Sequence, residues 1–198
     1  MGERTLLDHA VQRLRAAACI DTVVVAVPPG AEQATAAALG VMAVAGGQTR
    51  EQSVRLALAA LPPEVDIVLI HDAARPLVPA TLIESVVLAV REGAPAVVPG
   101  LPVIDTIKQV DARGVVVATP PRSELRAIQT PQGFRREVLE RAYAEASDAA
   151  SLPATDDAGL VERIDEPVLV VPGSPAAFKV THAADLEHAA ALLRAEKG

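Results

Sequence analysis

The sequence has no tryptophan, one tyrosine, two phenylalanines and a single cysteine. With aromatics at 2% and apolar residues at 51%, its core has to be built from Val, Leu, Ile and Ala. One cysteine excludes an internal disulfide, and Cys19 follows an Ala-rich stretch where it is expected simply to pack. No apolar run has membrane-spanning length, and the start shows no signal-peptide pattern. There is no basic run and no aromatic platform, and the formal charge is -7, which argues against a sequence-independent grip on nucleic acid. The four histidines (His9, His71, His182 and His188) lack zinc-like spacing, and His182 and His188 are expected on the solvated face of a closing helix. A G-x-S-x-G elbow, a Walker loop and a G-x-G-x-x-G turn are all missing. These absences lead to the expectation of a soluble cytoplasmic protein with neither a nucleic-acid nor a membrane partner.

What is present is a regular alternation of short apolar runs and helical patterns over 198 residues, a length that suits one domain spanning 1–198. Residues 5–18 place Leu6, Leu7, Ala10, Val11, Leu14 and Ala18 on one face, with Thr5 and Asp8 as a candidate N-cap pair. "DTVVVAV" (21–27) is a continuous β-branched run of the kind buried on both faces of a sheet. A helix at 32–39, a strand at "VMAV", a helix at 49–61, the strand "DIVLI" and a helix at 79–91 follow. "PAVVPGLPV" gives another strand, 134–147 a helix, "TDDAGLVERI" a short capped helix, "PVLVVPG" a strand and 181–197 the last helix. The order predicts an α/β, Rossmann-like fold, a mostly parallel sheet with helices on both faces. One segment departs from it. Residues 105–122 form two β-branched runs around "DARG", a hairpin with Gly114 in the turn. As a projecting arm it would need a partner subunit to cover its outer face; as an edge hairpin it would not. The pattern alone leaves both open.

Candidate chemistry sits where strands end. "VLIHDAARP" delivers Asp72 and Arg75 to the carboxyl end of an apolar strand, where open sheets bind their ligands. The plain alternative is an ion pair to a neighbouring loop. Asp105, Thr106 and Lys108 lie near another strand end, and "ELRAIQTPQGF" carries Arg126 and Thr130 into an expected Pro-Gln-Gly turn. "ATDD" opens a helix whose N–H groups favour anions. "FKVT" sets Lys179, one of only three lysines, between apolar neighbours, where a snorkelling side chain is the competing reading. Cations, hydroxyls and one or two carboxylates without a dedicated nucleophile suit phosphate chemistry. The substrate phosphate itself attacks, while the protein aligns it and offsets developing charge. Magnesium takes one or two carboxylates and fills its remaining positions with water and phosphate oxygens, which suits Asp72; Arg75 suits a phosphate.

"GGQTREQSV", "VLIHDAARP", "DTIK", "TPQGF", "TDDAGLVE" and "FKVT", in this order and over nearly the whole chain, resemble the 2-C-methyl-D-erythritol 4-phosphate cytidylyltransferase family of the non-mevalonate isoprenoid pathway. The resemblance implies attack of a sugar-alcohol phosphate on the α-phosphorus of CTP, with release of pyrophosphate. It implies that Gly47, Gln48 and Ser53 recognise the nucleotide, that Ala73 gives it room, and that Asp72 holds Mg2+ or another divalent cation. It implies that Lys179 contacts the nucleotide phosphates and the second substrate, and that Thr130 and Thr155 bind the methylerythritol phosphate. Arg75, Thr106 and Arg122 would serve that same substrate, largely across a homodimer interface built by the arm at about 105–122; the catalytic set is then Asp72, Lys179 and Arg122. Gln48 stands where many relatives carry an acid.

The resemblance also implies an apolar strand, a loop of the type P-A-A-G-x-G-x-R and a Pro-Lys-x-Phe stretch ahead of the first helix, where this sequence reads "MGERTLLDHA". A start placed late, an omitted piece and an inactive remnant are the three explanations; the intact downstream positions favour the first. The chain as given is therefore expected to bind CTP poorly. Two rival readings follow: a ribitol-5-phosphate cytidylyltransferase, and a catalytically inactive homologue acting as a dimerising or nucleotide-sensing domain.

Overall fold

A computed structural model of the protein describes residues 4–148 and 154–196. The first helix, α1 (Leu6–Ala16), starts in the expected capping box: the Thr5 hydroxyl accepts the Asp8 N–H at 3.1 Å, and the Asp8 carboxylate accepts the Thr5 N–H at 2.6 Å. Then come β1 (Val24–Val27), α2 (Glu32–Leu39), β2 (Met42–Ala45), α3 (Arg50–Ala59), β3 (Ile67–Ile70), α4 (Ala80–Arg91) and β4 (Ala96–Pro102), each within a few residues of its expected place. After β4 come β5 (Gln109–Val110), β6 (Val116–Ala118), β7 (Arg126–Ile128), β8 (Gln132–Arg135), α5 (Arg136–Asp148), α6 (Asp157–Glu162), β9 (Val168–Pro172) and α7 (Ala183–Ala195).

The α/β class holds, and the sheet is only partly parallel. β1 pairs with β2 and β4 with β9 in parallel. β8, however, runs antiparallel between β3 and the start of β4, and β7 runs antiparallel along the end of β4. Neither β7 nor β8 is foreseen by the sequence, which reads "TPQGF" as a turn and the helix as starting at Phe134. Gly133 lies inside β8 because α4 presses on the strand: a Cβ there would come within 2.5 Å of Val86 Cγ1.

Strand alternation fills both faces. Val68, Ile70, Ala96 and Val98 join Phe134 and the apolar sides of α5 and α6. Val97, with Ile67 and Leu69, meets Val86 and Val90 of α4 on the other face. Beyond α4, the C-terminal side of α1 closes over Val78, Leu82 and Ile83, with Cys19 packed beside it. Among the described residues β1 pairs only with β2, and β3 only with β8. Between β1 and β3 lies a cleft of about 820 Å³ with apolar walls from α1, α3 and both strands. Its mouth is polar at Arg50, Ser53, Asp72 and Lys179, with the small Ala73 among them.

The arm is a separate two-stranded sheet, β5 on β6. Gly114 turns it at φ 80°, and the Asp111 carboxylate accepts the N–H groups of Arg113 and Val115, both at 2.9 Å. Val110, Val115, Val116 and Val117 are all exposed on it, and Ile104 at its base is 83% exposed. No helix among the described residues is long and apolar enough to cross a membrane.

Candidate active site

The apolar face of β3 ends at Ile70, and the chain turns directly through His71 and Asp72. His71 Nε2 lies 3.1 Å from the Arg75 carbonyl, so that nitrogen carries the proton. Its Nδ1 then accepts from the Thr130 hydroxyl at 3.0 Å, and the same oxygen accepts the Asp72 N–H at 3.0 Å. Burial pulls the His71 pKa down to about 4, which keeps the ring neutral. Arg75 makes no ion pair with Asp72 among the described residues. Its guanidinium donates to the carbonyls of Ala177 at 2.7 Å and Ile128 at 3.4 Å. The Val180 N–H bonds the Ala74 carbonyl at 2.8 Å, so "DAARP" and "FKVT" are held in register.

That register brings Lys179 Nζ to 2.9 Å from Asp72 Oδ2. On the other side, Arg50 Nε lies 3.7 Å from Asp72 Oδ1. Burial pushes the Asp72 carboxyl up, but the Lys179 hydrogen bond and charge, with Arg50 and Arg75 behind them, hold it below the usual carboxylate range. The Lys179 side chain is 48% exposed, so it reaches the cleft mouth rather than a core.

Gly46 and Gly47 lead from β2 into α3. The Gly46 N–H bonds the Val27 carbonyl at 2.7 Å. Gly47 donates to Ser53 Oγ at 3.1 Å, Gln48 donates to Gln52 Oε1 at 2.8 Å, and the Ser53 hydroxyl donates to the Thr49 carbonyl at 2.9 Å. Only glycine fits at 47, because a Cβ would stand 2.3 Å from Gln52 Cβ. Thr49 caps α3 by accepting the Gln52 N–H at 3.1 Å.

The expected residues thus separate into groups. Ser53, Asp72, Ala73 and Lys179 share the cleft mouth, with Gly47 and Gln48 on the loop that Ser53 and Gln52 hold. Arg75 and Thr130 sit behind Asp72: the Thr130 hydroxyl and both Arg75 Nη groups are engaged by the loops themselves, while the buried Arg75 Nε has no hydrogen-bond partner among the described residues. Thr155 is exposed just ahead of α6, whose Asp156 accepts the Gly159 N–H at 2.9 Å and the Gln132 amide at 2.7 Å. Thr106 and Arg122 belong to the arm, where Arg122 donates to the Ile104 carbonyl at 2.9 Å and no hydrogen bond or ion pair joins either residue to Asp72 among the described residues. His182 and His188 are exposed as expected, His188 with its ring 5.1 Å from Phe178.

Sequence reasoning assigned no role to Arg50, Asp157 or Tyr143. Asp157 is 1% exposed; it accepts from Arg50 Nη2 at 2.6 Å and from the Tyr143 hydroxyl at 2.5 Å. Burial and then Asp157 push the Tyr143 hydroxyl well above its ordinary pKa, so it stays a donor. Arg50 lies within the quoted "GGQTREQSV", and Tyr143 is the only tyrosine in the chain; nothing local ties either to Asp157.

No cluster of three or more metal-ligating side chains exists among the described residues. Asp72 is one carboxylate at an open mouth. That suits a divalent cation brought with phosphate oxygens, which need only one or two protein carboxylates.

A model of the 2-C-methyl-D-erythritol 4-phosphate cytidylyltransferase family matches residues 1–195. The chain is 51% identical over 195 residues to the enzyme of that name from Frankia casuarinae, covering 98% of this chain and 72% of the relative. It is likewise 51% identical to that of Rhodococcus jostii, covering 98% and 84%. Among solved structures, the cytidylyltransferase of Thermus thermophilus is 41% identical with a TM-score of 0.83. The 4-diphosphocytidyl-2C-methyl-D-erythritol synthase of Anaerococcus prevotii is 30% identical with a TM-score of 0.90; each match covers 98% of this chain and 91% of the other. A strand-end carboxylate between a lysine and an arginine, beside a glycine-led helix start, therefore stands in a chain that belongs to the 2-C-methyl-D-erythritol 4-phosphate cytidylyltransferase family.

Proposed function

We propose that the protein transfers the cytidylyl group of CTP to 2-C-methyl-D-erythritol 4-phosphate. A phosphate oxygen of the sugar alcohol attacks the α-phosphorus of CTP; the bond between that phosphorus and the bridging oxygen to the β-phosphate breaks, and pyrophosphate leaves. The observation that carries the reading is the Asp72 carboxylate between Lys179 and Arg50 at the end of β3. Gly47, Gln48 and Ser53 shape the place of the nucleotide through a loop that their own hydrogen bonds hold, and Ala73 leaves space for it. Asp72 would hold Mg2+ or another divalent cation, which neutralises phosphate charge when bound. Lys179 is free to move from Asp72 onto a phosphate oxygen and offset the charge that grows there.

Thr155 serves the sugar phosphate, while Arg75 and Thr130 act mainly by fixing the loops that carry Asp72 and Lys179. Thr106 and Arg122 reach a site from the arm of a second copy. The exposed valines of β5 and β6 support that homodimer, since an apolar hairpin is stabilised when covered. The chain then works as one cytidylyltransferase domain, 1–198, with the arm at about 105–122 as its dimer contact. The test is pyrophosphate release with CTP and Mg2+, with 2-C-methyl-D-erythritol 4-phosphate and ribitol 5-phosphate offered in parallel. Turnover with the first is expected, with a high KM for CTP in line with the poor CTP binding expected of this chain. Turnover with ribitol 5-phosphate alone, or with neither, overturns the reading.

A further inference from the structure

Arg50 is the first residue of α3, and its guanidinium bridges two acids of different character. Nη2 is 2.6 Å from Asp157, which is 1% exposed, and Nε faces Asp72, whose side chain is 19% exposed, at 3.7 Å. The buried Asp157 carboxylate has a partner on each oxygen: Arg50 on Oδ2 and Tyr143 on Oδ1. Tyr143 is itself 3% exposed, packed in the core face of α5. Burial would pull the Arg50 pKa down, but the Asp157 hydrogen bond and charge, with Asp72 adding to them, raise it. The guanidinium is tied on its inner edge to groups that solvent does not reach.

Lys179, the other cation on Asp72, differs in kind. It is a flexible side chain whose hydrogen bond to Asp72 is the only one recorded for its ammonium among the described residues. Any cation or phosphate entering the mouth can take Lys179 off Asp72 at little cost. Arg50 cannot follow without abandoning Asp157, which would leave a buried charge with one partner fewer. A lysine at 50 would not serve, since a single ammonium does not span two acids as a planar fork does.

We infer that Arg50, clamped from the core by Asp157 and Tyr143, is a positioning residue for Asp72. It fixes one oxygen of that carboxylate and leaves the other, now held by Lys179, for the incoming charge. The inference rests on the reading of Asp72 as the cation- and phosphate-handling group, and it adds three residues from three helices to the site.

The experiment compares Arg50→Gln, Arg50→Lys and Tyr143→Phe with Asp72→Asn and the matching double variants. The readouts are steady-state kinetics, Mn2+·CTP affinity by calorimetry, melting temperature, and crystal structures of the single variants. Arg50→Gln and Arg50→Lys are expected to lower kcat by about 10- to 100-fold, the range produced by a misplacement of about 1 Å, with a much smaller change in KM for CTP. Tyr143→Phe is expected to lower kcat about 3- to 10-fold, as a looser clamp. In the Asp72→Asn background none of these changes should cost a further factor, because each acts through a carboxylate already gone. Effects that multiply with Asp72→Asn, in rate or in Mn2+·CTP affinity, overturn the inference in favour of direct contact with the nucleotide. A lower melting temperature with unchanged kcat overturns it in favour of a purely structural ion pair. If the wild-type chain turns over no CTP, the proposed function fails separately. The Arg50→Gln structure still decides the inference, since an Asp72 carboxylate that keeps its place without Arg50 refutes it.

Discussion

Replacing Gly47 by alanine separates the site from the fold more cleanly than any change of a charged residue. The new Cβ would lie 2.3 Å from Gln52 Cβ and 2.9 Å from Gln52 Oε1. Carbon–carbon contact is comfortable at about 3.5–4.0 Å, so the loop has to retreat by more than roughly 1 Å. Gln52 cannot yield instead, since its N–H caps onto Thr49 and it lies within α3. The retreat breaks the Gln48 bond to Gln52 Oε1 and the Gly47 bond to Ser53 Oγ. These are exposed hydrogen bonds, each contributing about 0.5–1.5 kcal/mol, so the stability loss stays within about 1–3 kcal/mol. For a chain of this size that is a fall in melting temperature of a few degrees, roughly 2–4 °C per kcal/mol. The nucleotide feels much more, because a displacement of about 1 Å in a positioning loop is worth up to 100-fold. The expected result is a KM for CTP raised at least about tenfold, with the KM for the sugar phosphate close to wild type. Initial rates over a CTP titration, beside a thermal melt, measure both. A Gly47→Ala chain with unchanged KM for CTP would show that the 46–48 loop does not face the nucleotide.

Gly133→Ala should do the reverse: its Cβ would lie 2.5 Å from Val86 Cγ1 and 3.0 Å from Leu69 Cδ2 in a closed core, costing about 1–3 kcal/mol or more, so the melting temperature falls while KM for CTP is retained in the folded fraction. His71 gives a pH signature. Its folded pKa of about 4 lies below the ordinary 6.5, so its contribution is complete above pH 6.5 and is lost as the pH falls toward 4, up to about 3 kcal/mol. Urea denaturation across that window should show the decline, and His71→Gln should flatten it; an equal slope in both chains removes His71 as the cause. For the arm, inactive Arg122→Ala and inactive Asp72→Asn chains should recover partial activity when mixed, because some mixed dimers hold one whole site. Subunit exchange without recovery rules out a shared site. Amides of β1, paired on one side only, should exchange with deuterium faster than those of β4, which is paired on both; equal protection would mean the cleft between β1 and β3 is closed in solution.

How much of this was legible in the sequence depends on the distance over which each signal acts. The α1 capping box, the capped start of α6, the hairpin turn at Gly114 and the exit of Asp72 from β3 are all written within a few residues, and all are in place. β8 is a strand for a different reason. Pro131 and Gly133 argue against it locally, yet β3 on one side and β4 on the other supply ladder partners, and α4 needs the missing side chain at 133. Tertiary pairing therefore overrides local preference there, and with it the expectation of a mostly parallel sheet. The same holds for the site. Asp72 is visible because strand ends are where open sheets bind ligands. Its setting is not visible, because Arg50, Tyr143 and Asp157 meet only when α3, α5 and α6 come together on one side of the sheet. Arg75 shows the limit in the other direction. Three residues from Asp72 it reads as a phosphate ligand, but the turn after β3 sends its guanidinium to the carbonyls of Ala177 and Ile128. The cation nearest to Asp72, Lys179, comes from 107 positions away, a separation over which no local signal ties the two together.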